Sequence, residues 1–385
     1  MSKSPLRLVG LLAGDLYNDP TTKIKYGLFF AALARQYDLV GVHDASLRGF
    51  SRFWNAVQVF HPSPRIWRKR YWQNVPAFRS RSKIASRYLQ EAVGMADLGF
   101  QMNALFDARL KSSRSLPTVI YTDYTAYLSS LRPEAGRSPF TADQLKKWLE
   151  LERQTYKKAA HIFTRAQFVR RSIVDFYNIP PERVTAVGGG VNFEEWPDVN
   201  LQSSQADPVA LFIGRDFYRK GGDILLEAFA RAHRQHPSAK LIFLTRDPIP
   251  QSFPLDGVEV LYTGWDRKKV NECFRRANIF VLPSRLETWG DVLLEAMAYG
   301  IASIGVNVEP MTEIVEDGRT GLLVEPDNAE ALGDGLVKLF KDIELRKRLA
   351  EASRDFVQNN YSWDHVVHRM APKIQEIGLI TKGEE

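Results

Sequence analysis

The chain alternates short apolar runs of strand length with amphipathic stretches of helix length, stops once, and then starts again. Residues 6–12 (LRLVGLL) lead into a helical pattern over 22–36, and residues 38–43 (DLVGVH) form the next strand. Further strands are expected at 97–102, 118–122 and 161–164, with helices over 141–159 and 166–176. Residues 192–208 then lose all periodicity and are rich in Asp, Asn, Ser and Pro, which reads as a linker. The alternation resumes with strands at 210–213, 240–244, 258–262, 279–282, 301–306 and 321–324, and a helix over 222–234 opens this second series. Near-continuous apolar strands separated by amphipathic helices predict parallel sheets covered on both faces. With 385 residues, more than one core organises easily, the fold class is α/β with two doubly wound domains. Their bounds are 1–200 and 201–361, and ligands are expected in a cleft between them, at the carboxyl ends of the strands.

Charge is distributed unevenly. The chain has 52 Lys+Arg against 45 Asp+Glu, a net +7. Ten of the cations fall between Arg48 and Gln90, where no acidic residue occurs, so the remainder is net acidic. Nine aromatic residues, from Phe50 to Tyr88, are interspersed with them. Cations mixed with aromatic rings suit an anionic membrane surface, for which Arg65, Trp67, Arg68, Lys69, Arg70 and Trp72 are the candidate contacts. The same mixture could stack on single-stranded nucleic acid, or be a solvated face with its rings in the core. The membrane reading is favoured, and no nucleic-acid partner is expected. The single cysteine, Cys273, excludes an internal disulfide and fits a reducing compartment. No apolar run is long enough to span a bilayer, and 6–13 lacks the marks of a signal peptide. The expected location is cytoplasmic, peripheral on the inner face of the membrane if the basic segment binds there.

The second series carries the densest chemistry. Its first strand ends at Gly214 and Arg215, and Lys220-Gly221-Gly222 opens the following helix. A close backbone turn, a forked cation, a point charge and unsatisfied helix N–H groups suit a diphosphate. The strand at 279–282 runs into Pro283-Ser284, Glu287 and Trp289-Gly290, then into a helix starting at Asp291-Val292 and containing Glu295. Glu287 and Glu295 are eight residues apart, so both carboxylates can lie on one side near the helix start, where sugar hydroxyls would find acceptors. The alternative is that Glu287 caps the helix and Glu295 is a solvated face residue.

These residues resemble the donor domain of glycosyltransferase family 4, retaining enzymes of the GT-B architecture with two Rossmann-like domains. The match runs through Gly214-Arg215, Lys220-Gly221, Pro283-Ser284, Glu287, Trp289-Gly290, Glu295-Ala296, Gly300, Glu313-Ile314-Val315, Asp317-Gly318 and 320–324. Trp289 stands where phenylalanine is commoner. The resemblance implies that Arg215 and Lys220 hold the donor diphosphate, Glu287 the transferred sugar and Glu295 the ribose. Backbone groups at Asp291 and Val292 would complete the phosphate cradle. No metal or other cofactor is implied, because the nucleotide sugar is a substrate. It also implies that a C-terminal helix, 362–385, returns to the first domain.

The first domain matches less closely. The loop after its first strand reads Gly14-Asp15-Leu16-Tyr17, without the family's glycine pair, and Asp123 stands where many members carry a histidine. Gly14, Asp15, Tyr17 and Asp123 are the acceptor-side candidates. Asp123 could orient a hydroxyl or stabilise positive charge on the sugar, or serve as a helix cap. His43, His61 and His161 form no credible relay, and His161 reads as a packing residue. The implied activity is retaining transfer of a hexose from a nucleotide diphosphate sugar to an acceptor hydroxyl, favouring a lipid-linked or membrane-proximal glycan. A UDP-sugar is favoured because such donors are commoner, with GDP-mannose as the other candidate. The alternatives are a sugar-nucleotide epimerase of the same architecture and a non-catalytic scaffold.

Overall fold

A computed structural model describes residues 5–110, 116–133, 138–199, 207–262 and 266–383. Part of the expected linker, 200–206, lies outside the described residues. The chain divides into two compact units, Met1–Gly188 with Trp363–Glu385, and Gly189–Ser362.

The first unit opens with β1 (Arg7–Leu12), α1 (Pro20–Gln36) and β2 (Asp38–Asp44). Asp19 starts α1, its carboxylate accepting from the N–H groups of Thr21 and Thr22, with Pro20 preset for the first turn. The basic segment, which sequence periodicity left unassigned, is three helices: α2 (Gly49–Gln58), α3 (Pro64–Trp72) and α4 (Val75–Glu91). There follow β3 (Leu98–Met102), β4 (Thr118–Thr122), α5 (Ala126–Ser130), α6 (Ala142–Lys158), β5 (His161–Thr164), α7 (Gln167–Asp175) and β6 (Val184–Ala186). A reciprocal capping box between Thr141 and Gln144 starts α6. The six strands are parallel in the order β2-β1-β3-β4-β5-β6. Chain direction across the sheet therefore reverses between β1 and β3, and the loops leaving their carboxyl ends are where a ligand fits.

The second unit comprises β7 (Val209–Gly214), α8 (Gly222–Gln235), β8 (Lys240–Thr245), β9 (Val258–Tyr262), α9 (Arg267–Arg276), β10 (Ile279–Leu282), α10 (Asp291–Ala298), β11 (Ala302–Val306), α11 (Met311–Ile314), β12 (Leu322–Val324), α12 (Ala329–Lys341) and α13 (Ile343–Asn360). Its parallel order is β12-β11-β10-β7-β8-β9, the doubly wound arrangement with its switch point between β7 and β10. Phe212, Phe229, Phe243, Val281 and Leu336 are among the side chains packed in its core.

The last helix, α14 (Trp363–Gly383), belongs to the first unit. Trp363, Val367 and Met370 join Phe29, Phe100 and Tyr121 in that unit's core, with the Trp363 and Phe29 rings 5.3 Å apart, edge to face. Among the described residues no helix is long and apolar enough to cross a membrane. The sheets thus have the α/β architecture expected from the alternation, with element ends shifted by one or two residues.

Candidate functional site

In the second unit the loops that leave β7 and β10 at the switch point are tied to each other. The Arg219 guanidinium donates to the Leu286 carbonyl at 2.9 Å, and the Arg285 N–H donates to the Arg219 carbonyl at 2.9 Å. The Lys220 ammonium donates to Glu287 Oε1. From the loop after β8, Asp247 accepts from the Asp216 and Phe217 N–H groups, which holds the 214–221 turn in place. The turn needs its glycines. A side chain at Gly214 would meet the Phe212 ring, and one at Gly221, where φ is +70°, would overlap the Pro283 carbonyl oxygen. Arg215 lies exposed on this turn.

Helix α10 begins behind the second loop. Its cap is Gly290 at φ +111°, which offers no side-chain hydrogen bond to the first turn. Gly290 therefore brings no capping side chain of its own to the helix start at Asp291 and Val292, which suits an anion. Glu287 does not cap this helix, and Glu295 is no solvated face residue, being only 8% exposed. Burial alone would raise the Glu287 pKa, but the adjacent Lys220 ammonium overrides it and holds the carboxyl below its ordinary value. For Glu295 burial wins, and its pKa is raised even though Arg267 donates to Oε2 at 2.9 Å. Arg267, at the start of α9, had no distinguishing spacing in the sequence. Its guanidinium also lies 5.2 Å from the centre of the Phe193 ring. Trp289, the aromatic position named in the donor match, lies inside the unit. It is buried, packs edge-on against Tyr361, and donates from Nε1 to the Gly189 carbonyl at 3.2 Å.

The first unit holds a pocket of about 1340 Å³ at the carboxyl ends of its strands. Gly14, Asp15 and Asp123 line it, but Tyr17 does not, its side chain being 69% exposed. The Gly14 N–H donates to Asp44 Oδ1 at 2.9 Å. Asp15 is spent on its own turn, accepting from the N–H groups of Tyr17 and Asn18 and from the Asn18 side chain, all at 3.0 Å. Asp123 is not a helix cap, since Thr125 caps α5. Burial would lower the pKa of Lys25, another lining residue, but Tyr26 and then Asp123 outweigh it and raise it. Of the expected surface residues, Trp67, Arg68 and Trp72 also line this pocket, whereas Arg65, Lys69 and Arg70 do not. The two tryptophans are half-buried. Trp67 Nε1 donates to the Ala56 carbonyl at 2.8 Å, fastening α3 to α2, and Arg81 lies over the Trp72 ring.

None of the three histidines reaches another. His43 stacks on Tyr88, and His61 accepts from the Ser63 N–H. His161 is buried against Thr185 at 2.9 Å, and burial pushes its pKa down to about 4.

A buried carboxylate that sequence reasoning missed lies under the Asp123 loop. Glu152, on α6 and lining the pocket, accepts from the Ala126 N–H at 3.1 Å and from the hydroxyls of Tyr177 and Tyr156. Burial raises its pKa from 4.5 to about 7, against the opposing hydrogen bonds of Tyr177, Ala126 and Tyr156. The folded state therefore binds a proton more readily than the unfolded chain. The stability this confers is full below about pH 4.5 and is lost as pH rises through about 7. Glu152→Gln, which imitates the protonated acid, should flatten that fall in the melting temperature between pH 5 and 8. An unchanged pH profile in the variant would remove Glu152 from the account.

Residues 194–356 match the sequence family described as "Glycosyl transferases group 1". Among curated proteins the chain is similar to alpha-D-kanosaminyltransferase of Streptomyces kanamyceticus, 26% identical over 281 residues that cover 69% of this chain and 72% of that one. It is also similar to alpha-maltose-1-phosphate synthase of Mycolicibacterium smegmatis, 28% identical over 272 residues, 63% of this chain and 69% of that one. Among solved structures, sucrose-phosphate synthase from Thermosynechococcus elongatus superposes with a TM-score of 0.66 at 18% identity, covering 96% of this chain and 99% of that one. Anabaena HepE in complex with UDP and glucose does so with a TM-score of 0.62 at 15% identity, covering 96% and 100%. The fold is that of these two-unit α/β proteins, GT-B, and the relatives support a glycosyltransferase.

Proposed function

We propose that the protein is a retaining, metal-independent hexosyltransferase. Its second unit would hold a nucleotide diphosphate sugar, and its first unit would present an acceptor hydroxyl. The observation that carries this reading is the switch point between β7 and β10, where Lys220 pairs with Glu287 beside a turn built on two glycines, in the loop that leads to the glycine-capped start of α10. Lys220 and Arg215 supply positive charge where a diphosphate would gain negative charge as its sugar leaves. Glu287 would accept from sugar hydroxyls, and Glu295, freed from Arg267, from the ribose. The C1–O bond to the diphosphate breaks as the acceptor oxygen bonds to C1 on the same face. The acceptor proton passes to the departing phosphate oxygen, so no separate strong base is required.

The favoured donor is a UDP-sugar, with GDP-mannose as the other candidate, and the favoured acceptor is a lipid-linked or membrane-proximal glycan. Such an acceptor would place the protein peripherally at the cytoplasmic face. The bound UDP and glucose of the HepE structure are consistent with a UDP donor here. The test is product analysis with UDP- and GDP-hexoses and a panel of glycan and lipid-linked acceptors, with and without a chelator. The expected result is a new glycosidic bond of the donor's anomeric configuration, formed equally well in chelator. Recovery of the donor as its epimer, without any acceptor product, would identify an epimerase instead.

A further inference from the structure

Helix α2 is amphipathic in the reverse of the usual sense. Its one buried residue is polar: Asn55, whose Nδ2 donates to the Tyr71 carbonyl at 3.1 Å. Its large apolar side chains face outward, with Phe50 77%, Trp54 49% and Val57 48% exposed. These occupy helical positions i, i+4 and i+7 and form one stripe. Phe60, just past the helix, and Ile66 on α3 are exposed apolar side chains in the same hairpin. No side chain of α3 is buried either, so the α2–α3 hairpin stands out from its unit.

The charge carried by the hairpin itself has one sign. Of the ten cations between Arg48 and Gln90, Arg81 is internal, donating to the Trp72 and Leu105 carbonyls at 2.7 and 3.1 Å. Arg52, Arg65 and Arg68 are exposed on α2 and α3. A symmetric contact with a second copy would set these like charges against each other. A nucleic acid would meet aliphatic Val57 and Ile66, on which bases do not stack. An anionic bilayer satisfies both features, taking the apolar stripe into the headgroup boundary and the guanidinium groups at its phosphates.

The helix also has a second outward face. Gly49, Arg52, Phe53 and Ala56 line the pocket of the first unit. At about 100° per residue these four centre roughly a third of a turn from the stripe of Phe50, Trp54 and Val57. One helix therefore borders the pocket on one side and presents an unpartnered apolar stripe on the next.

We propose that α2 lies in the headgroup layer of an anionic bilayer, with Phe50, Trp54 and Val57 immersed, and so sets the pocket of the first unit at the lipid surface. An acceptor could then keep its tail in the bilayer while its head enters past Arg52 and Phe53. This use of the surface rests on the lipid-linked acceptor proposed above, whereas the docking itself does not.

The test uses the full chain and vesicles of phosphatidylcholine alone or mixed equally with phosphatidylglycerol, compared by co-sedimentation. The triple variant Phe50→Ser, Trp54→Ser, Val57→Ser alters only exposed side chains outside the pocket lining. Wild type should bind the anionic vesicles at least about tenfold more tightly than the neutral ones, and the variant should lose at least about tenfold on the anionic ones. The variant should keep the wild-type melting temperature and the wild-type thermal shift with UDP. Wild type that binds neither vesicle, or a variant that binds as wild type does, overturns the docking. So does a wild-type dimer that the variant dissolves, or capture of nucleic acid in place of vesicles. Loss of the UDP shift in the wild type would instead overturn the donor reading and leave the vesicle result standing.

Discussion

Lys220→Ala should lower the rate of sugar transfer by about 10²–10³-fold, the scale seen when one preorganised group facing a developing oxyanion is removed. The ammonium is held at the end of β7 beside Glu287, in a site where both side chains are mostly buried. Charge placed there before the reaction needs no reorganisation as the diphosphate leaves, and partial exclusion of water strengthens it. The substitution also leaves Glu287 buried without its cation, which is destabilising in itself. The double variant Lys220→Ala, Glu287→Gln separates the two effects by removing the orphaned charge. It should recover most of the lost melting temperature and little of the lost rate. A double variant that regains near wild-type turnover would mean that Lys220 only neutralises Glu287.

The second large effect is structural and is read from a pair of glycines. Gly221 and Gly318 have almost the same φ, +70° and +72°. An alanine at Gly318 would meet nothing within 4 Å, so it should cost only the left-handed conformation, about 1–2 kcal/mol. An alanine at Gly221 bears the same conformational cost and also overlaps the Pro283 carbonyl oxygen. That contact is backbone, so relief requires one of the two switch-point loops to move. We expect Gly221→Ala to cost at least about 3 kcal/mol in unfolding free energy and to abolish nucleotide binding. Gly318→Ala should bind as wild type does. Equal losses in the two variants, measured by denaturant unfolding, would show that the close approach of the loops is not what demands glycine at 221.

These predictions depend on how much of the site was legible beforehand. The strands were, because a parallel strand buried on both faces leaves an apolar run that little else in a sequence imitates. The runs at 118–122, 161–164 and 279–282 coincide with β4, β5 and β10. Glu287 and Glu295 stood out because their eight-residue spacing joins one loop to the second turn of the helix that follows it, both local features. Their partners differ in this respect. Lys220 and Glu287 are 67 residues apart, and Arg267 precedes Glu295 by 28, so each ion pair is made by the packing of elements and leaves no period. Glu152 was hidden for a related reason. On α6 it follows Glu150 by two residues and resembles any polar-face carboxylate until Ala126, Tyr156 and Tyr177 close over it.

The basic segment was only partly legible. Its composition was plain, but composition does not say which rings point out. Trp67 and Trp72 turn inward because α3 has to be fastened to α2 and α4, whereas Phe50 and Trp54 turn outward because Asn55 takes the contact with α3. The i, i+4, i+7 spacing of Phe50, Trp54 and Val57 was available in the sequence and would have picked out the stripe.

The central claim is that the second unit holds a nucleoside diphosphate at the β7–β10 switch point. Thermal unfolding with UDP, GDP and ADP, on the wild type and on Glu295→Ala, tests it most directly. A ligand at 100 times its dissociation constant adds about 2.7 kcal/mol, which is a shift of several degrees for a unit of this size. The account predicts such a shift with one of the three nucleotides, UDP first, and its loss in the variant. No shift with any of them at millimolar concentration, or a shift that Glu295→Ala leaves intact, would contradict it.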